Sequence, residues 1–121
     1  MSIQSILVVD DSPTQLDNIK NIVTDAGFRV FTADSGVKAI EKAEAEQPDL
    51  IFMDVVMPDM DGFQTCRKLT AGEKTKDIPV VFVTTKNQKA DKVWAQMQGG
   101  KALVAKPYEA EEIIDQIKAF S

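Results

Sequence analysis

Five short apolar runs return along this chain at a spacing of about 25 residues, and this alternation constrains the fold more than any other feature. The runs are rich in Val, Ile and Phe and are nearly continuous rather than alternating with polar residues. Such runs are typical of strands in a parallel sheet that helices cover on both faces. The predicted strands are residues 6–10, 28–33, 49–54, 79–85 and 102–106.

The segments between these runs have the apolar spacing of helices. In the first segment Pro13 suits the opening turn and Gly27 suits the C-terminal cap, and in the second Ser35 suits the N-cap. The polar stretch 70–77 is predicted to be a loop. The five predicted helices lie within residues 13–27, 35–46, 61–69, 88–98 and 109–120.

Strands that alternate with helices predict an α/β fold, a doubly wound sandwich with a five-stranded parallel sheet and five helices. The flavodoxin-like strand order 2-1-3-4-5 places the first and third strands side by side at the switch point of the sheet. Because the chain has 121 residues, we expect a single domain over residues 1–121, without a separate output domain.

Charge and composition narrow the classes of function. The chain has 14 basic and 19 acidic residues, and this net charge of -5 argues against binding nucleic acid or an anionic membrane by bulk electrostatics. No histidine is present, which excludes Ser-His-Asp triads and His-ligated zinc. The single cysteine, Cys66, is expected to be a packing residue, and the lack of a leader or a long apolar stretch predicts a cytoplasmic protein.

Polar residues stand where four of the predicted strands end. Asp10 and Asp11 follow the first strand, Asp54 the third, Thr84 the fourth and Lys106 the fifth. Carboxyl ends of parallel strands meet at one edge of the sheet, so these side chains should converge. Three carboxylates together require a cation, and oxygen ligands alone favour Mg²⁺. With a hydroxyl and a lysine, this predicts phosphoryl transfer in which Asp54 is the acceptor and Thr84 and Lys106 assist.

Each of these residues by itself has a simpler interpretation. A strand-terminal Asp-Asp pair is often a solvated turn, and a lone lysine is usually a surface charge. Two other classes of protein are consistent with parts of this residue pattern. One is a small hydrolase with the same Asp and Mg²⁺ chemistry, and the other is a flavodoxin-like flavin carrier. The carrier would need a phosphate-binding loop where Asp10 and Asp11 stand, and these carboxylates would repel a phosphate.

The ordered set of motifs resembles the receiver domains of two-component response regulators, typified by the chemotaxis protein CheY. The motifs are "VVDDSP", "DLIFMDVVMPDMDG", "IPVVFVTTK" and "KPY". The resemblance implies that Asp54 is the phosphoacceptor, that Asp11, Asp54 and the Val56 carbonyl bind Mg²⁺, and that Asp10 acts mainly through water. It also implies that Thr84 and Lys106 sense the phosphoryl group and that the Lys106-Pro107 peptide is cis.

Within the family, the chain is most similar to stand-alone receivers of the chemosensory systems that control type IV pili. The resemblance implies a chemosensory histidine kinase as phosphodonor, an unidentified protein target, a monomer, and control of twitching motility by output or as a phosphate sink. A regulator of flagellar motility is the alternative within the family.

Output is expected from the surface of the fourth helix, fifth strand and fifth helix, with Leu103, Trp94 and Tyr108 as switch or output residues. In the family the position of Leu103 usually holds Tyr or Phe, so the resemblance implies a muted switch here. The fourth helix has an apolar stripe of helical spacing, and most of it is predicted to be core. This stripe consists of Ala90, Val93, Trp94 and Met97.

Overall fold

A computed structural model describes residues 3–86 and 88–121, and in these residues five parallel strands alternate with five helices. The strand order is β2-β1-β3-β4-β5, which confirms the predicted doubly wound sheet. The elements are β1 (Ser5–Val9), α1 (Pro13–Asp25), β2 (Arg29–Ala33), α2 (Gly36–Glu46), β3 (Leu50–Met53), α3 (Gly62–Ala71), β4 (Val80–Thr84), α4 (Lys89–Met97), β5 (Ala102–Ala105) and α5 (Ala110–Ala119).

Alternate residues of the strands point into two separate cores, one on each face of the sheet. Leu7 of β1 and Phe82 of β4 pack with residues of α2, α3 and α4, whereas Val8 of β1 and Phe52 of β3 pack with residues of α1 and α5. The central strands are buried on both faces, and this explains why their sequences are continuously apolar.

The helix ends follow the predicted capping residues. The Ser35 hydroxyl accepts a hydrogen bond from the Lys38 N–H at 3.2 Å, and Asp61 and Gln64 form a capping box at the start of α3. Gly27, just after α1, has a φ of 96°, which suits glycine. Four of the predicted strands were one residue too long at one or both ends, and the first was displaced by one residue, since β1 begins at Ser5 and ends at Val9. Helix α3 continues into the stretch that was predicted to be a loop.

The α4 stripe (Ala90, Val93, Trp94 and Met97) was predicted to be mostly core, and this prediction is wrong. All four side chains are exposed, and Ala95 is the buried residue within the helix. Helical spacing shows that apolar residues share a face, but it does not show which way that face points. Here a nine-residue helix rests on the sheet by its other side, and the stripe is left on the surface.

The helices of the described chain do not meet the requirements for crossing a membrane. Over residues 3–86 and 88–121, none combines the length and the apolar character that crossing a bilayer requires.

Candidate functional site

The carboxyl ends of β1 and β3 bring three aspartates together. Val9 and Met53 are paired in register, and the next residues, Asp10 and Asp54, continue the parallel ladder because the Asp54 N–H donates to the Val9 carbonyl at 3.0 Å. Carboxylate oxygens of Asp10, Asp11 and Asp54 all lie within 4.8 Å of one another. The convergence that the sequence predicted is therefore present.

Lys106 reaches into this cluster from the end of β5. Its ammonium Nζ lies 2.9 Å from Asp10 Oδ2 and 3.7 Å from Asp54 Oδ2. The other Asp10 oxygen, Oδ1, accepts a hydrogen bond from the Ser12 N–H at 2.9 Å. Both oxygens of the buried Asp10 therefore have partners, whereas Asp11 is exposed to solvent.

Burial raises the pKa of Asp54 above its ordinary value of 3.8. The nearby Lys106 ammonium opposes this by favouring the ionised carboxylate, and the Asp10 charge raises the pKa further. Backbone amides of Val55 and Val56 lower it by a smaller amount. The balance of these effects means that the ionised Asp54 is held in the fold at a cost in free energy.

Thr84 ends β4 beside the cluster and is fully buried. Its hydroxyl oxygen accepts a hydrogen bond from the Lys86 N–H at 3.1 Å, and its carbonyl accepts one from the Lys106 N–H at 2.9 Å. The hydroxyl therefore still has its own proton to donate.

The backbone after Asp54 passes close to the start of α3. The Gly62 N–H donates to the Val55 carbonyl at 2.8 Å, and a Cβ at Gly62 would overlap the Asp54 carbonyl oxygen. Glycine is thus required for this approach. The Val56 side chain in the same loop is 54% exposed.

The donor set fits a hard divalent cation. It consists of carboxylate oxygens, one of them on the exposed Asp11, so that a bound ion would keep access to water. A cation would also offset the cost of ionising Asp54 in a buried position. Asp10, Asp11 and Asp54 are therefore suited to hold Mg²⁺.

The other predicted features lie on β5, on α4 and in the loop after β5. The Lys106-Pro107 peptide is cis, as expected, and Tyr108 directly after it accepts a hydrogen bond at its hydroxyl from Asn18 Nδ2 at 2.9 Å. This link between α1 and the loop after β5 was not predicted, because no spacing rule connects residues 90 apart. Leu103 is half-buried on β5, and Trp94 is exposed on α4.

The fold and the site define a class of protein. The chain matches the response regulator receiver domain over residues 6–118, and it belongs to that family. It is 41% identical to protein PilH of Pseudomonas aeruginosa over 94% of both chains. Several longer curated relatives are matched over only about half of their length.

Solved structures of receivers have the same fold. The chemotaxis protein CheY4 of Vibrio cholerae is 28% identical, with a TM-score of 0.93, and the match covers 99% of this chain and 100% of that one. The receiver domain of a sensor histidine kinase from Pseudomonas aeruginosa is 27% identical, with a TM-score of 0.89 and 98% coverage of both chains. That structure is described with a magnesium ion coordinated in the active site cleft.

Proposed function

We propose that Asp54 of this response regulator accepts a phosphoryl group from the phosphohistidine of a chemosensory histidine kinase. The observation that carries the proposal is the aspartate cluster beside Lys106 at the carboxyl edge of the sheet, in a chain of the receiver family. Asp54 is favoured over Asp10 as the acceptor because both Asp10 oxygens already have partners. The chain supplies no histidine, so the donor must be another protein.

The proposed reaction is a displacement at phosphorus. An oxygen of the Asp54 carboxylate attacks the phosphorus atom, the new O–P bond forms, and the P–N bond of the phosphohistidine breaks with its electron pair returning to the imidazole nitrogen. Lys106, 3.7 Å from Asp54, neutralises charge on the phosphoryl oxygens, and the Thr84 hydroxyl donates a hydrogen bond to one of them.

We propose Mg²⁺ as the cofactor, held by Asp11, Asp54 and the Val56 carbonyl. Mg²⁺ in this position supplies charge neutralisation for the transferring group. Asp10 acts through water, and this is supported by its hydrogen bonds to Lys106 and Ser12. The protein catalyses only its own phosphorylation and dephosphorylation in this proposal, and it has no separate substrate.

Labelling with radioactive acetyl phosphate, or with a phosphorylated kinase, tests the proposal. We expect wild type to be labelled when Mg²⁺ is present and to remain unlabelled in EDTA, and we expect no label on Asp54→Asn. The matched control is Asp59→Asn, because Asp59 is an exposed carboxylate in the same loop and its φ of 68° is tolerated by asparagine. Equal labelling of Asp54→Asn and wild type would exclude Asp54 as the acceptor.

We further propose that the protein acts in the cytoplasm as a stand-alone, monomeric receiver in the pathway that controls type IV pili and twitching motility. The support is the 41% identity to PilH, whose length is also almost fully matched. The likeness to a chemotaxis protein favours flagellar motility as a second candidate. Deletion of the gene should change twitching and leave swimming unchanged, whereas the reverse result would favour the second candidate. Turnover of p-nitrophenyl phosphate by the pure protein would instead indicate a phosphatase.

A further inference from the structure

Asn18 and Tyr108 form a hydrogen bond that the proposed reaction does not use. The Asn18 amide on α1 donates from Nδ2 to the Tyr108 hydroxyl oxygen at 2.9 Å, and the two residues are 90 positions apart in the sequence. Tyr108 follows Lys106 closely, in the segment that joins β5 to α5. The bond therefore ties the helix that begins beside Asp10 and Asp11 to the segment that carries the lysine of the site.

The segment between β5 and α5 is held by few other hydrogen bonds. At its start the Lys106 N–H donates to the Thr84 carbonyl at 2.9 Å. At its end Glu109 is the N-cap of α5, but its side chain makes no capping hydrogen bond. Among the residues that the structure describes, the bond from Asn18 is the only side-chain hydrogen bond to residues 107–109. The position of this segment therefore depends on it.

The Tyr108 side chain is half-buried, and its phenol stays protonated. The ring packs against the core between the sheet and helices α1 and α5. Burial raises the pKa of the Tyr108 phenol above its ordinary value of 10.0, the hydrogen bond from Asn18 lowers this pKa, and the Asp10 carboxylate raises it. The phenol is thus neutral at neutral pH, and its oxygen remains an acceptor for the Asn18 amide.

Lys106 needs confinement because a lysine carries its charge on a long, flexible stem. The Lys106 side chain is only 12% exposed, and it lines a cleft of about 310 Å³ together with Asn18 and Tyr108. Its Nζ lies 3.7 Å from Asp54 Oδ2, which is too long for a hydrogen bond. The walls of the cleft and the contact with Asp10 therefore keep the ammonium group near Asp54.

We propose that Asn18 and Tyr108 are positioning residues for phosphoryl transfer. Their hydrogen bond fixes the segment after β5 and the wall of the cleft, so that the Lys106 ammonium stays where it meets the phosphoryl oxygens on Asp54. Without the bond the lysine stem adopts more rotamers, and fewer of them place the ammonium beside Asp54. Both residues act through Lys106, and this role is separate from the switch or output role expected for Tyr108. The inference deepens the proposed function and rests on it for the role of Lys106.

A link that only stabilises the packing of α1 against the start of α5 is the simpler interpretation. Such a link would change the unfolding temperature, but it would not distinguish a ligand that contacts Lys106 from one that does not. In the proposed reaction Mg²⁺ is held by Asp11, Asp54 and a backbone carbonyl, whereas the phosphoryl group also contacts Lys106. Beryllofluoride, an analogue of the phosphoryl group, and Mg²⁺ alone therefore separate positioning from stability.

Three variants of the full-length protein test this inference. Tyr108→Phe removes the acceptor and keeps the ring, Asn18→Leu removes the donor, and the third variant combines both changes. Titration calorimetry measures the affinity for beryllofluoride in saturating Mg²⁺ and, separately, the affinity for Mg²⁺ alone. We expect each single variant to bind beryllofluoride about three- to tenfold more weakly than wild type, and the double variant to bind it no more weakly than either single variant. The affinity for Mg²⁺ should change by less than about twofold.

Asn21→Leu is the matched control for Asn18→Leu. Asn21 is an exposed asparagine on the same helix, and its side chain makes no hydrogen bond to the part of the chain that the structure describes. The same substitution at this position should leave both affinities as in wild type. Labelling of Asp54 by acetyl phosphate is measured in parallel, and its rate should fall in the three test variants and not in the control.

The inference is overturned if the variants bind beryllofluoride as wild type does, or if the affinity for Mg²⁺ falls by the same factor. Losses that add in the double variant would also overturn it, because Asn18 and Tyr108 would then act independently. A lower unfolding temperature with unchanged beryllofluoride affinity would show a stabilising link only. Normal labelling of wild type with unchanged variants rejects this inference alone. Weakened beryllofluoride binding by the variants, without any labelling of wild type, rejects the proposed function alone.

Discussion

Lys106 is the residue on which the charge balance of the aspartate cluster depends most. Its ammonium group is closer to Asp10, at 2.9 Å, than to Asp54, at 3.7 Å, so that one cation serves two buried carboxylates. Lys106 was predicted to contact the transferring phosphoryl group, and its contact with Asp10 was not predicted, because spacing along the chain does not show which of two nearby carboxylates is closer to the lysine. In the structure Lys106 is the counter-ion that offsets the repulsion between the carboxylates of the cluster.

Removing this lysine should therefore destabilise the protein. We expect Lys106→Ala to lower the free energy of unfolding in EDTA by about 1–3 kcal/mol, because two buried carboxylates lose their cation. The loss should be smaller in saturating Mg²⁺, where the metal supplies positive charge. Urea denaturation in the two buffers measures both values. Lys38→Ala is the control, since Lys38 pairs with Asp34 on the exposed surface and its loss should cost less than about 0.5 kcal/mol.

Cys66 shows what a sequence can predict about a single buried residue. It was expected to be a packing residue, and it is fully buried on α3. Burial raises the pKa of its thiol from 9.0 to about 11, and Lys101 lowers it by a smaller amount. The thiol is therefore protonated at neutral pH and is not a nucleophile. The hydrogen bond from the Cys66 thiol to the Gln98 carbonyl could not be predicted, because the two residues are 32 positions apart in the sequence.

At the scale of elements, sequence patterns predict whether a segment is a helix or a strand better than they predict which of its sides is buried. All five strands and five helices were predicted, since continuous apolar runs and helical spacing are local signals. The α4 stripe was assigned to the wrong side of its helix because the side that packs is set by the sheet. The aspartate cluster was predicted because strand ends of a parallel sheet share one edge.

Strand β5 carries Leu103, for which the resemblance to receivers implies a muted switch. This residue pairs in register with Phe82 and packs half-buried against the core that contains Ala95 of α4. Leucine has neither a hydroxyl nor a ring face, so its inward and outward positions should differ little in free energy. Phosphorylation shifts such an equilibrium only by its differential affinity for the two states, so a side chain that gains little on moving inward permits only a small conformational response.

We therefore expect beryllofluoride with Mg²⁺ to change Trp94 fluorescence only modestly in wild type. Leu103→Tyr should enlarge the change, since it restores a ring that can exchange between two positions. Val37→Tyr is a control that adds a ring at an exposed position on α2, away from β5, and it should leave the response as in wild type. A large, saturating change in the unmodified protein would contradict the expectation that Leu103 mutes the switch.

At the scale of the whole molecule, the acidic cluster makes stability depend on pH and metal. Because burial raises the pKa of Asp54, the folded protein binds a proton at this residue more strongly than the unfolded chain does. Stability is therefore lost as the pH rises from 3.8 through the raised pKa of the folded state. The Lys106 ammonium reduces this loss without cancelling it.

Removal of the Asp54 charge should therefore stabilise the protein at neutral pH. In EDTA at pH 7, Asp54→Asn should raise the free energy of unfolding by about 0.5–2 kcal/mol, because it removes a charge that the fold holds at a cost. Saturating Mg²⁺ should raise the unfolding temperature of wild type and have a much smaller effect on Asp54→Asn, since binding to the folded state alone stabilises it. Calorimetry in both buffers, with Asp59→Asn as the control, measures these changes. A less stable Asp54→Asn in EDTA would show instead that the attraction between Lys106 and Asp54 outweighs the cost of burial.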